Sequence, residues 1–203
     1  LHRRRHSFPT RRSSDLTDIT FTGAAIAANN TDYDTITISS QLTNVSNTTI
    51  DLGSGTDSLR LGNFANTGTV ANIESITGDA GADVVTLGAA TTTATVDLAG
   101  GTDRLVLANG TNSITVAGAE SVVGNSGTDT LTLTDAANTL ATSSIESIVG
   151  GTLADAITLT GAITGGNFDL GSGTDSLTLS GAGANTLTAT GIETITGGSA
   201  ADA

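Results

Sequence analysis

The 203-residue chain predicts an all-β fold, a right-handed parallel β-helix or β-roll of about eight coils, each of 20–27 residues. Three observations lead there. A Gly-rich turn followed by Asp recurs along the chain, apolar residues alternate after each Asp, and large side chains are scarce. Aromatic residues make up 2% of the chain, and Cys, Met, Trp and Lys are absent, so a core must come from Leu, Ile, Val and Ala. A compact two-layer domain draws much of its core from aromatic side chains. A repeat array tolerates a thin core, because each unit buries only a stripe against its neighbours.

The first segment, Leu1 to Leu16, stands apart. It holds five of the seven Arg residues, both His residues and the only Pro. Its stretch SFPTRRSSDL, Ser7 to Leu16, resembles the in-frame translation of a common DNA-sequencing adapter. A basic targeting arm and a nucleic-acid-binding tail are the alternatives, and no apolar region follows to make a secretory signal. Residues 1–16 are therefore read as a non-native, disordered leader. Residues 17–203 are read as a single solenoid, cut at both ends. That remainder keeps two basic residues, Arg60 and Arg104, against 19 acidic ones, a formal net charge of −17. Such a surface repels nucleic acid and anionic membrane and attracts cations. No run of about 18 apolar residues is present to insert into a membrane.

The repeat comes next. The turn motif appears as GSGTDSLRL at Gly53, GDAGADVVTL at Gly78, GGTDRLVL at Gly100 and GNSGTDTLTL at Gly124. It continues as GGTLADAITL at Gly150, GSGTDSLTL at Gly171 and GGSAADA at Gly197. Its aspartates are Asp57, Asp83, Asp103, Asp129, Asp155, Asp175 and Asp202, at spacings of 26, 20, 26, 26, 20 and 27. A weaker copy places Asp34 before them. A second motif carries Glu74, Glu120, Glu146 and Glu193, each nine residues before a motif Asp and eight after Asn66, Asn112, Asn138 or Asn185. The spacings read as two coil types, of about 20 and 26 residues, in a 46-residue super-repeat.

After each Asp, apolar residues fall two apart: Leu59 and Leu61, Val85 and Leu87, Leu105 and Leu107, Leu131 and Leu133. This is the period of a half-buried strand. Gly and Asp before it supply the turn. β-Sandwiches also use short strands, but need about 100 residues per module and a Trp- or Tyr-anchored core.

The turns resemble the RTX (repeats-in-toxin) nonapeptide G-G-x-G-x-D-x-U-x, a pattern associated with calcium. Gly78, Gly81, Asp83 and Val85 match it, as do Gly124, Gly127, Asp129 and Leu131. Gly53, Gly55, Asp57 and Leu59 match all but the first Gly, and so do Gly171, Gly173, Asp175 and Leu177. Leu153, Ala200 and Ala99 replace glycines in other copies. The tandem nonapeptide spacing is missing, so the resemblance implies one row of cation sites at most. It implies calcium held by the seven motif aspartates and by Gly53, Gly55, Gly78, Gly81, Gly124, Gly127, Gly171 and Gly173. It also implies an extracellular or cell-surface protein, exported as RTX proteins are.

Coils stacked in register would set the seven aspartates in a line. Carboxylates about 4.8 Å apart repel by about 3.5 kcal/mol at an effective dielectric of 20, and bound calcium would reverse that sign. The opposing reading leaves these residues as solvated turn aspartates. The Glu row is expected at a bend with its heads in water, and the Asn row as a hydrogen-bond ladder at a corner.

Catalysis needs a positioned acid, base or nucleophile. Outside the leader there is no His, Cys or Lys. The expected function is a structural or adhesive segment of a secreted or surface bacterial protein. Its partners would be calcium and host-surface, biofilm or self-association contacts. A surface-layer segment and a fragment of a β-helical carbohydrate-active enzyme are the alternatives. Thr arrays that bind ice are set aside because Arg60 and Val106 interrupt them.

Overall fold

The computed structural model describes residues 16–17, 26–30, 34–38, 41–42 and 49–203. The leader's residues 1–15 lie outside the described residues. The described residues form twenty strands in two parallel ten-stranded sheets, with successive strands alternating between the sheets.

The first sheet holds the odd strands: β1 (Leu16–Thr17), β3 (Thr35–Thr37), β5 (Ser58–Arg60), β7 (Ser75–Thr77), β9 (Thr95–Asp97), β11 (Asn112–Ala117), β13 (Asp129–Leu133), β15 (Ser147–Val149), β17 (Thr164–Asp169) and β19 (Thr186–Thr190). The second holds the even strands: β2 (Ile26–Asn30), β4 (Thr49–Gly53), β6 (Thr67–Ala71), β8 (Val84–Leu87), β10 (Arg104–Val106), β12 (Ser121–Val123), β14 (Thr139–Ser143), β16 (Ala156–Leu159), β18 (Ser176–Thr178) and β20 (Thr194–Thr196). Each coil is one strand of each sheet joined by two corners. The expected parallel solenoid is the observed fold, and β5 to β20 make about eight of its turns. No helix occurs among the described residues.

The alternation in the sequence becomes the core directly. Inward residues stack coil upon coil: Ile36, Leu59, Ile76, Val96 and Val116 in the first sheet, then Val85, Leu105 and Val122 in the second. Each of these is 3% exposed or less. Thr and Ser occupy the outward positions between them, where β-branched and hydroxyl side chains suit a pleated surface. Phe168, fully buried, is the largest core side chain.

The coil length differs from the expected one. One turn carries Ser58 to its partner Ser75, and the next carries Ser75 to Thr95. The longer spacing between motif aspartates is not a coil at all. It carries the motif one and a half turns, from the start of β5 in one sheet to the start of β8 in the other. The sequence of long, short and long steps therefore closes after four turns, which take Asp57 to Asp129, Asp83 to Asp155, and Asp103 to Asp175. This four-turn period replaces the expected super-repeat of one long and one short coil.

Candidate functional site: the acidic corners

The motif aspartates do not form one line. They divide between the two edges of the solenoid. Asp57, Asp129 and Asp202 stand at the entrance to the first sheet, and Asp83, Asp103, Asp155 and Asp175 at the entrance to the second. The expectation of a single row with one turn per coil is corrected accordingly: the motif serves both corners, and a half-turn in the spacing moves it across. Arg60 and Arg104 lie on different sheets too, in β5 and β10. Arg60 faces Asp79 at 3.8 Å, with both side chains well exposed.

Nor, except for the exposed Asp202, do the carboxylates point into water. Asp57, Asp83 and Asp129 are 0% exposed, and Asp103, Asp155 and Asp175 1%. Each uses Oδ1 to accept a backbone N–H from the corner of the preceding coil. Asp34 N–H donates to Asp57 at 2.8 Å, Asp83 N–H to Asp103 at 2.6 Å, and Asp155 N–H to Asp175 at 2.7 Å. The Glu row continues the same device. Glu74 accepts the N–H of Asp57 through Oε2 at 2.8 Å, Glu120 that of Asp103 at 2.6 Å, Glu146 that of Asp129 at 2.9 Å, and Glu193 that of Asp175 at 2.7 Å. One oxygen of each Glu is thus committed to a corner, where heads free in water were expected.

The Asn row starts four of the ladders. Asn66 sends both its backbone N–H and its Nδ2 to Oδ1 of Asp83, at 3.0 and 2.8 Å. Asn112 does so to Asp129, Asn138 to Asp155 and Asn185 to Asp202. The remaining Nδ2 proton serves the loop before it: Asn66 Nδ2 donates to the carbonyls of Gly62 and Phe64, both at 2.9 Å. The corner ladder read from these Asn residues is present, and its side-chain partners are the motif aspartates. Three ladders run Asn, one or two Asp, then Glu: Asn66, Asp83, Asp103, Glu120 and Asn138, Asp155, Asp175, Glu193 in the second sheet, and Asn112, Asp129, Glu146 in the first.

The glycines make room for this. A methyl group on Gly124 would meet the carbonyl oxygen of Ser144 and lie 2.5 Å from Asp129 Oδ2. On Gly150 it would meet the Leu170 carbonyl and lie 2.7 Å from Asp155 Oδ2. Gly78 and Gly81 are pressed in the same way against the backbones of Leu98 and Phe64. Gly127 adds a conformational demand, with φ of +132°.

Burial raises the carboxyls of Asp57, Asp83, Asp103 and Asp129 above the usual Asp value, outweighing the hydrogen bonds that pull them down. The exposed carboxyls of Asp135 and Asp202 behave oppositely. Bonds from Thr152 and Asn185 hold them below it. The Oδ2 atoms of Asp57, Asp83, Asp103, Asp129, Asp155 and Asp175 are buried without a hydrogen-bond partner.

The resemblance implies calcium here. Calcium takes six to eight oxygens. Each buried Asp has only Oδ2 uncommitted, and among the described residues no three His, Cys, Asp or Glu side chains converge on a metal position. That donor set falls short of a carboxylate-built calcium site. Comparison with protein-family models, curated proteins and solved structures finds no match to this chain.

Proposed function

We propose that the chain is a structural segment of a secreted or cell-surface bacterial protein, a stiff acidic rod that spaces or displays other parts. The observation that carries this reading is the corner ladder. Buried carboxylate and amide groups clamp coil to coil at both edges, and they do so through much of the rod. The chemistry built into the corners holds the backbone together and does not reach toward solvent. The charge of −17 outside the leader supports an extracellular setting, as does the RTX resemblance of the turns. A carbohydrate-active reading needs acids open to a substrate, and the buried corner aspartates face inward.

Adhesion would use the outward faces. One column of the first sheet runs Thr35, Ser58, Ser75, Thr95, Thr115 and Thr132 without interruption. It offers hydroxyl groups at the strand spacing of about 4.8 Å.

Circular dichroism and thermal unfolding of the full chain, with calcium and with chelator, test the reading. The rod is expected to show its β spectrum in chelator and to keep its melting temperature. A β signal that appears only with calcium would replace this reading with a calcium-driven fold.

A further inference from the structure

One ladder meets the next differently at one corner than at the others. Where a ladder begins on Asn, a backbone N–H from the coil before it normally donates to the Asn side-chain oxygen. Leu42 N–H does so for Asn66 at 2.9 Å, Thr91 N–H for Asn112 at 3.1 Å, and Ile163 N–H for Asn185 at 3.2 Å. Asn138 is the exception. The corner before it is that of Glu120, whose N–H is already donated to the carbonyl of Asp103. Among the described residues Asn138 donates through both its nitrogens, but its Oδ1 accepts no bond. Glu120 gives Oε2 to the N–H of Asp103 and keeps Oε1. Two ladders thus abut here with acceptor next to acceptor and no donor from the chain between them.

The joint is also open. Asn66, Asn112 and Asn185 are 1% exposed or less, whereas Asn138 is half-buried and Glu120 exposed. Both residues line a cleft of about 350 Å³. Three successive corners build it from small side chains: Ala99, then Gly118 and Ala119, then Ala137 and Thr139. Arg104, beside Ser121 in the adjoining strand, makes no ion pair. The surroundings carry the net charge of −17 that draws cations to this rod.

We propose that the cleft between Glu120 and Asn138 binds a primary ammonium group, the head of a free polyamine or of a lysine side chain on a partner protein. An ammonium carries three N–H donors on one centre, so it serves Glu120 Oε1 and Asn138 Oδ1 together and keeps one donor for water at the open side. Its charge makes both bonds stronger than those of a bridging water. A guanidinium fork is matched to both oxygens of a carboxylate, and Glu120 has only one to give. Calcium takes six to eight oxygens, and the joint offers two uncommitted side-chain oxygens. The alkyl stem of the amine has the methyl groups of Ala99, Ala119 and Ala137 to lie against.

This site goes beyond the rod reading and needs only the stacked corners. Circular dichroism reports the rod, and ligand titration reports the cleft, so the two fail separately. The test is nuclear magnetic resonance of the full chain, following the side-chain amide of Asn138. Putrescine is titrated in one arm and an N-acetylated Gly-Lys-Gly amide in the other. A saturable shift is expected. Saturation by both ligands assigns the ammonium head alone, and saturation by the peptide only assigns a lysine of a protein partner. Glu120→Gln keeps an acceptor for the N–H of Asp103 and removes the charge, and should weaken binding by roughly tenfold or more. Glu146→Gln makes the same change at another corner, where Glu146 holds the N–H of Asp129, and should leave binding unaltered. Ala137→Leu narrows the cleft without touching a ladder bond, so its loss of affinity tests the site even where Glu120→Gln does not fold. The absence of a saturable shift with either amine would overturn the proposal. So would equal weakening by Glu146→Gln, which marks a diffuse acidic surface, or unchanged affinity in Ala137→Leu. A Gly-Arg-Gly amide that binds as tightly as the lysine peptide, or calcium that saturates the same signal at lower concentration than putrescine, would overturn it too.

Discussion

Asp83 donates its backbone N–H to Oδ1 of Asp103 at 2.6 Å, across a full turn of the chain. A side chain from the next coil thus satisfies a buried backbone donor at a corner. Buried donors left unpaired cost about 1–3 kcal/mol. Asp103→Ala is therefore expected to lower stability by about that amount, and Asp103→Asn, which retains the acceptor, by far less. Denaturant titration followed by circular dichroism measures both.

The glycines of the turn motif are not equivalent, and one pair separates their roles. Gly124→Ala drives a methyl group against the Ser144 carbonyl and Asp129 Oδ2. Overpacking of that kind costs about 1–3 kcal/mol. Gly100→Ala meets nothing within 4 Å and should be neutral or slightly stabilising. Melting temperatures of the two variants should move apart.

The four-turn period makes a sharper test. Deleting residues 58–129 removes one whole period and joins Asp57 to Thr130, two positions that belong at the same edge. The shortened chain should keep its β spectrum and a cooperative melt. Deleting residues 58–103 removes two and a half turns and joins Asp57 to Arg104, which belongs to the opposite sheet. That chain should lose its cooperative transition.

Thr142 points inward between Val122 and Leu159, 1% exposed, and its hydroxyl has no partner. Thr142→Val replaces that hydroxyl with a methyl of similar size. An unpaired buried hydroxyl costs about 1–3 kcal/mol. A gain of about 1 kcal/mol is expected, read from the same denaturant titration.

Much of this architecture is legible in the residues. Alternation after each Asp marks the strands, and the shortage of aromatics marks a thin core. Three features are harder to read. The longer step from Asp57 to Asp83 looks like a longer coil, because a sequence has no axis to show that the motif has crossed to the other edge. The Asn–Asp partnership was also hidden, although its signal is present. Asn66 and Asp83, Asn112 and Asp129, Asn138 and Asp155, and Asn185 and Asp202 all share a sequence separation of 17, as do Asp57 and Glu74. That shared number is the shorter of the two recurring turn lengths, the other being the 20 residues from Asp83 to Asp103, and it appears only when different residue types are compared with one another. Inward burial of the acids was unreadable for another reason: Gly and Asp in a turn suit an outward, solvated side chain equally well.

An integral number of turns per repeat lets the gene lengthen in safe steps. A duplication of one block inserts about 19 Å of rod and leaves every later side chain on the edge it already occupied. Duplications that end on a half-turn would exchange the two edges, so descendants of this chain can change reach without redesigning their surfaces.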